Sequence, residues 1–110
     1  MADAETTARA VLTTAPNAEV GELIARTLVE ERLAACVNVI PGVRSIYRWE
    51  GEVQDDPEVV LIIKTQADRC EALAARIEDL HPYDVPEVLV LPVVGGNAPY
   101  LAWVRTETKP

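Results

Sequence analysis

Two segments of helical period divide the β-forming runs of this chain into groups of one, two and one. The first runs through Val20, Leu23, Ile24, Thr27 and Leu28, with Glu19, Glu22, Arg26 and Glu30 mostly on the opposite side. The second steps by three and four through Ala67, Cys70, Leu73, Ala74, Ile77 and Leu80. Residues at such spacing share one face of a helix, so each segment has a single side to bury. The first helix is expected to start at Asn17, an N-cap residue after Pro16, and to end near Arg32-Leu33. Pro82 ends the second, because a proline inside a helix removes a backbone donor and clashes with the preceding turn.

The β-forming runs are Arg9–Thr14, Cys36–Ile40 resuming as Val43–Glu50, Glu52–Thr65 with Val59–Ile63 at its centre, and Glu87–Val94. Gly95-Gly96 breaks the last run, and Asn97 is placed to cap a final short helix holding Tyr100, Leu101, Trp103 and Val104. The order predicts an α+β, ferredoxin-like split β-α-β-β-α-β sandwich with a long central β-hairpin and a short C-terminal helix. Right-handed crossovers would put the first two helices on one face of a four-stranded antiparallel sheet.

The central hairpin is the unusual part. Its strands reach about fourteen residues, against the usual five or six. At roughly 3.3 Å per residue such an arm is about 45 Å long, while a chain of this length has an expected radius of gyration of about 13 Å. The arm must bend sharply or project past its own domain. Pro57 belongs at a bulge or an edge, since it cannot donate to a ladder, and Glu50-Gly51 is the turn candidate. A projecting arm leaves edges unpaired, so pairing with neighbouring subunits is expected.

The 110 residues make one domain, placed at 9–107 after a flexible lead-in over 1–8. A net charge of −8 argues against nucleic acid and anionic membrane surfaces as partners. No apolar run approaches a membrane span, and the first residues resemble neither a secretory signal nor an Arg-rich transit peptide. The expectation is a cytoplasmic protein whose Cys36 and Cys70 are reduced, structural thiols.

His81-Pro82-Tyr83-Asp84-Val85-Pro86-Glu87 is the strongest site marker, with the only histidine held in a proline-stiffened loop. His81 and Glu87 are candidate metal ligands, with Asp84 nearby, although one imidazole alone does not close a zinc or copper site. Tyr47 and Trp49 share one side of the arm and suit a subunit interface or a ligand-stacking platform. Asn38 needs a hydrogen bond if buried, Lys64 is placed to hold an anion or pair with Glu87, and Trp103 and Tyr100 are expected anchors. Asp55, Asp56 and Glu58 form a local acidic cluster read as a solvated face, with weak divalent-cation binding by oxygen ligands as the alternative. No acid–base or nucleophile constellation is complete, so an enzyme is not expected.

Thr14-Ala15-Pro16, Leu33-Ala34-Ala35-Cys36-Val37-Asn38, Tyr47-Arg48-Trp49-Glu50-Gly51-Glu52, Lys64-Thr65 and the His81–Glu87 segment occur in this order. Together they resemble the CutA family, the divalent-cation tolerance proteins, over roughly Val11 to Trp103. The resemblance implies a ferredoxin-like homotrimer, joined here through the hairpin arm, with a cytoplasmic location in bacteria. It implies tolerance of copper or another divalent cation, and no agreed catalytic activity. The family's trimer is similar to the PII signalling proteins, which bind small ligands between subunits. A ligand cleft at a subunit boundary would then draw on Asn38, Tyr47, Trp49, Lys64, Tyr83 and Trp103. A PII-like sensor of an anionic ligand is the alternative, resting on Lys64, Arg44 and Arg48. Some metal-binding relatives carry a Cys before the Thr-Ala-Pro and a second His before the His-Pro. Here Thr13 and Leu80 stand in those places, which removes two ligands.

Overall fold

A computed structural model describes residues 6–110. Its elements are β1 (Ala8–Ala15), α1 (Ala18–Glu30), β2 (Cys36–Trp49), β3 (Glu52–Gln66), α2 (Cys70–Leu80), β4 (Leu89–Pro92) and α3 (Ala98–Glu107), with a 3-10 turn at Ala67–Arg69 leading into α2. The four strands form one antiparallel sheet in the order β2-β3-β1-β4. This is the ferredoxin-like α+β arrangement.

The core lies between the sheet and the helices α1 and α2. Val11, Leu61 and Ile63 from the sheet meet Ile24, Leu28, Leu73 and Ile77 from the helices, all fully buried. Alternation along β1 and β3 puts these strand residues on one face, as half-buried strands require. Thr65 and Thr13 are also fully buried. The Thr65 hydroxyl donates to the Leu33 carbonyl at 2.7 Å, whereas the Thr13 hydroxyl has no partner. Asn17 caps α1 as expected, its side chain accepting from the Val20 amide at 2.9 Å. The helix stops at Glu30, earlier than expected, because Arg32 takes a left-handed φ of 61° and turns the chain toward β2.

Several boundaries differ from the sequence expectation. Of the expected lead-in, residues 1–5 lie outside the described residues. Thr6 and Thr7 are bonded to Val93 and Gln66, and β1 starts at Ala8, because the strand edge beside them offers partners. β4 keeps only Leu89–Pro92 instead of the run Glu87–Val94 and pairs with Arg9 to Leu12 of β1. The Asn97 side chain does not cap α3; its carbonyl accepts from Leu101 instead.

The break expected at Pro41-Gly42 is a β-bulge inside one continuous strand. Ile40 opposes Val60 and Val43 opposes Glu58, so Pro41 and Gly42 together face Val59 alone. Gly42 has φ 79°, a left-handed conformation that glycine adopts without steric cost. Beyond the bulge the parity of β2 is reversed. Val43, Ser45, Tyr47 and Trp49 now share a face with Glu58, Asp56, Gln54 and Glu52. The ladder from β1 ends at Val59, so residues 43–58 pair only with one another. Pro57 sits in this stretch, where one side of its strand has no ladder to interrupt. Glu50 and Gly51 close the arm with φ of 50° and 84°, both positive as a type I′ turn requires. The arm stretches the chain to 44 Å along its longest axis, with a radius of gyration of 14.8 Å.

Candidate functional site

The loop that follows α2 is fastened to the sheet through His81. Its backbone amide still donates to the Ile77 carbonyl at 2.9 Å, but its φ and ψ of −84° and 137° have left the helix. The residue before a proline is pushed toward extended geometry, so Pro82 explains the exit. The imidazole is 8% exposed, and both of its nitrogens are engaged. The Tyr83 amide donates to Nδ1 at 3.1 Å, which fixes the lone pair there. The proton is therefore on Nε2, which donates to the Thr14 carbonyl at 2.6 Å. The Tyr83 ring lies 4.5 Å from the imidazole, and its hydroxyl reaches across to donate to Glu58 Oε2 at 2.7 Å. Thr14, His81, Tyr83 and Glu58 thus form a continuous tie from β1 through the loop to the base of the arm.

Between the loop and the arm lies an open cleft of about 700 Å³. Tyr47, Trp49 and Ser45 line it from β2, Glu58 from β3, Thr14 from β1, and Pro82 to Val85 with Glu87 from the loop. Tyr47 donates its hydroxyl to Asp56 at 2.6 Å, a diagonal contact made possible by the reversed parity of the arm. The sequence leads to a solvated face or a weak cation site for Glu58 and Asp56, and not to their bonds with Tyr83 and Tyr47. The overlooked signal was the Pro-Gly bulge, which turns Tyr47 toward them.

The remaining expected site residues are dispersed. Lys64 donates to the Asn38 side chain and stands 3.6 Å from Cys36 Sγ, with no bond to Glu87. Trp103 packs against Tyr100 on α3, with ring centroids 5.6 Å apart. Asn38, Lys64 and Trp103 do not line the cleft, whereas Tyr47, Trp49, Tyr83 and Glu87 do. Arg44 forms an ion pair with Asp55, and Arg48 donates to the Gly51 carbonyl at 3.2 Å.

A resident transition-metal centre does not fit these residues. No group of three His, Cys, Asp or Glu side chains with metal-ligating placement occurs among the described residues. His81 has no free lone pair in this tautomer, Thr13 is buried in the core, and Leu80 packs at the core margin.

Burial, and then the bond to Glu58, raise the Tyr83 phenol above its ordinary pKa; the bond to Asp56 does the same for Tyr47. A phenol whose folded-state pKa exceeds its unfolded value holds its proton more tightly in the native state. Its stabilisation is complete below about pH 10, the unfolded value, and is lost as pH rises through the folded value. Tyr83→Phe should therefore lose stability less steeply than wild type above about pH 10, read from urea midpoints. Parallel slopes for the two proteins would remove Tyr83 from this account.

The fold and the motifs have counterparts among known proteins. Residues 9–107 match the family model described as CutA1 divalent ion tolerance protein. The divalent-cation tolerance protein CutA of Thermus thermophilus is 53% identical over 98 residues, covering 89% of this chain and 95% of that protein. Protein CutA of Homo sapiens is 51% identical over 100 residues, covering 91% of this chain. This chain spans only 56% of the human protein and 54% of the chloroplastic CutA of Arabidopsis thaliana. The solved Thermus thermophilus structure superposes with a TM-score of 0.91 at 51% identity, covering 93% of this chain and 99% of that one. The Xylella fastidiosa CutA structure gives a TM-score of 0.93 at 40% identity, covering 94% of this chain and 100% of that one. With nearly the whole domain matched in both sequence and fold, this chain belongs to the CutA1 divalent ion tolerance protein family.

Proposed function

We propose that this protein serves divalent-cation tolerance as a non-enzymatic, cytoplasmic homotrimer. Its arms pair with neighbouring subunits, and the cleft between arm and loop takes a cation at the subunit boundary. The observation that carries the ligand reading is the charge of the cleft. Glu58, Asp84 and Glu87 line it, and no Lys, Arg or His side chain does. Carboxylate and hydroxyl oxygens suit oxygen-preferring divalent ions better than copper, which favours nitrogen and sulfur donors. A PII-like role with an anionic ligand would rest on Lys64, Arg44 and Arg48, each bonded elsewhere and outside the cleft.

Assembly is supported by the arm itself. Ile46 and Val53 are exposed on the face of the arm turned away from Tyr47 and Trp49, and the arm's residues have no ladder beyond their own hairpin. Burying such residues against a second copy would remove apolar surface and an open edge together. The non-enzymatic reading is supported by the sole imidazole, whose nitrogens are both committed to backbone partners. Free Cys36 and Cys70 agree with a reducing compartment.

Calorimetry with calcium, zinc and copper on wild type and on the Glu58→Gln, Glu87→Gln double variant tests the ligand reading. Wild type should bind at least one of these ions several-fold more tightly than the double variant. Superimposable isotherms would remove the cleft as the cation site.

A further inference from the structure

We propose that the cleft between the arm and the 82–87 loop recognises a small organic ammonium ion. The inference rests on the cleft being the ligand site and names the chemical class that its walls fit best. Three aromatic residues line it from both sides, Tyr47 and Trp49 on the arm and Tyr83 on the loop. Each is between 38% and 48% exposed, so their surfaces are available rather than consumed by the core. An aromatic face attracts a cation through its quadrupole, and aromatic cages are the recurrent solution for alkylated ammonium groups.

The polar groups point the same way. Tyr83 spends its hydroxyl proton on Glu58 and Tyr47 spends its own on Asp56. Both phenol protons are thereby committed to carboxylates, Glu58 in the wall and Asp56 beside it. Glu58, Asp84 and Glu87 supply negative charge, and no basic side chain competes for it. The apolar lining of Pro82 and Val85 would meet alkyl groups. An anion finds no charged donor here.

Size separates an organic cation from a bare metal ion. The cleft holds about 700 Å³, within the range of small-molecule sites. A divalent ion at the carboxylates would leave the aromatic rings and the apolar wall unused. A bare or hydrated ion would also gain little from the alkyl-sized apolar wall. An ammonium ion carrying carbon uses all three features at once: rings, carboxylates and apolar wall.

The test is calorimetry on the full chain with choline, putrescine, magnesium chloride and 3,3-dimethyl-1-butanol, the neutral carbon isostere of choline. Choline or putrescine should bind, with choline at least about tenfold tighter than its isostere. Tighter choline assigns the methylated class, and tighter putrescine the primary-amine class; both support the proposal. Trp49→Leu should weaken the ammonium ligand by a similar factor, while Trp49→Phe, which keeps an aromatic face, retains most of the affinity. Circular dichroism of both variants should match wild type. Equal affinity for choline and its isostere would overturn the proposal, as would full binding by Trp49→Leu. Binding of divalent ions with none of either ammonium ion would overturn it while leaving the cation-tolerance reading in place. Binding of none of the probes would overturn both.

Discussion

His81→Ala is expected to destabilise the native state by about 3 kcal/mol. The change removes a buried ring that accepts from the Tyr83 amide and donates to the Thr14 carbonyl. Each backbone group left unsatisfied in a buried place costs about 1–3 kcal/mol, and the lost ring leaves a cavity beside Tyr83. The effect should reach beyond stability, because this imidazole fastens the loop that forms one wall of the cleft. Faster amide exchange across residues 82–87 is the expected signature, with β3 far less affected. His81→Gln separates a structural tie from a metal ligand. A glutamine amide can still donate to Thr14, so it should recover a substantial part of the stability and keep cation binding. Urea unfolding at fixed protein concentration reads the first effect, and calorimetry the second. Loss of divalent-ion binding in a stable His81→Gln protein would restore His81 as a ligand.

Gly21→Val is expected to cost a similar amount, about 3 kcal/mol, for a different reason. Gly21 is buried where α1 crosses the sheet. A Cβ added there would lie 2.9 Å from Val59 Cγ2, with Leu61 and Val39 also in contact range at 3.6 Å. Val59 is β-branched and held in the sheet, so it has little rotamer freedom with which to yield. The helix must move away from β3 at the point where the β1 ladder ends and the arm begins. Gly21→Ala should cost less than half as much. Alanine carries no further methyl groups, and its helix propensity exceeds that of glycine by about 1 kcal/mol. An equal urea midpoint for wild type and Gly21→Val would show that α1 does not approach the sheet this closely.

The fold was legible because its periodicities are local. The i, i+3, i+4 stripe of α1 and the alternation of Val59–Ile63 each declare an element without reference to its neighbours. Their order then restricts the topology to a few arrangements. The boundaries that moved depend on non-local pairing. β4 pairs only along Arg9 to Leu12 of β1, a limit that its own β-forming run from Glu87 to Val94 does not announce.

The site was legible only in part. His81 and Tyr83 stood out through the rigidity of their loop, and Tyr47 and Trp49 through their shared parity. What they face depends on one bulge: Pro41 and Gly42 reverse the register and bring Tyr47 onto the side of Asp56 and Glu58. A strand-end lysine such as Lys64 has many candidate partners, and its sequence neighbours do not choose among them. Here its cross-strand neighbour Cys36 and the nearby Asn38 amide take it. The partners of His81 are also non-local on one side: its Nε2 reaches the Thr14 carbonyl on β1, and with the Tyr83 amide on Nδ1 this fastens the cleft wall.

The projecting arm and the cleft beside it are proposed to belong to a three-subunit assembly. Sedimentation velocity of the wild-type chain at micromolar concentration tests this most directly. A single species at three times the 12.0 kDa chain mass is predicted. A species at the mass of one chain would contradict it.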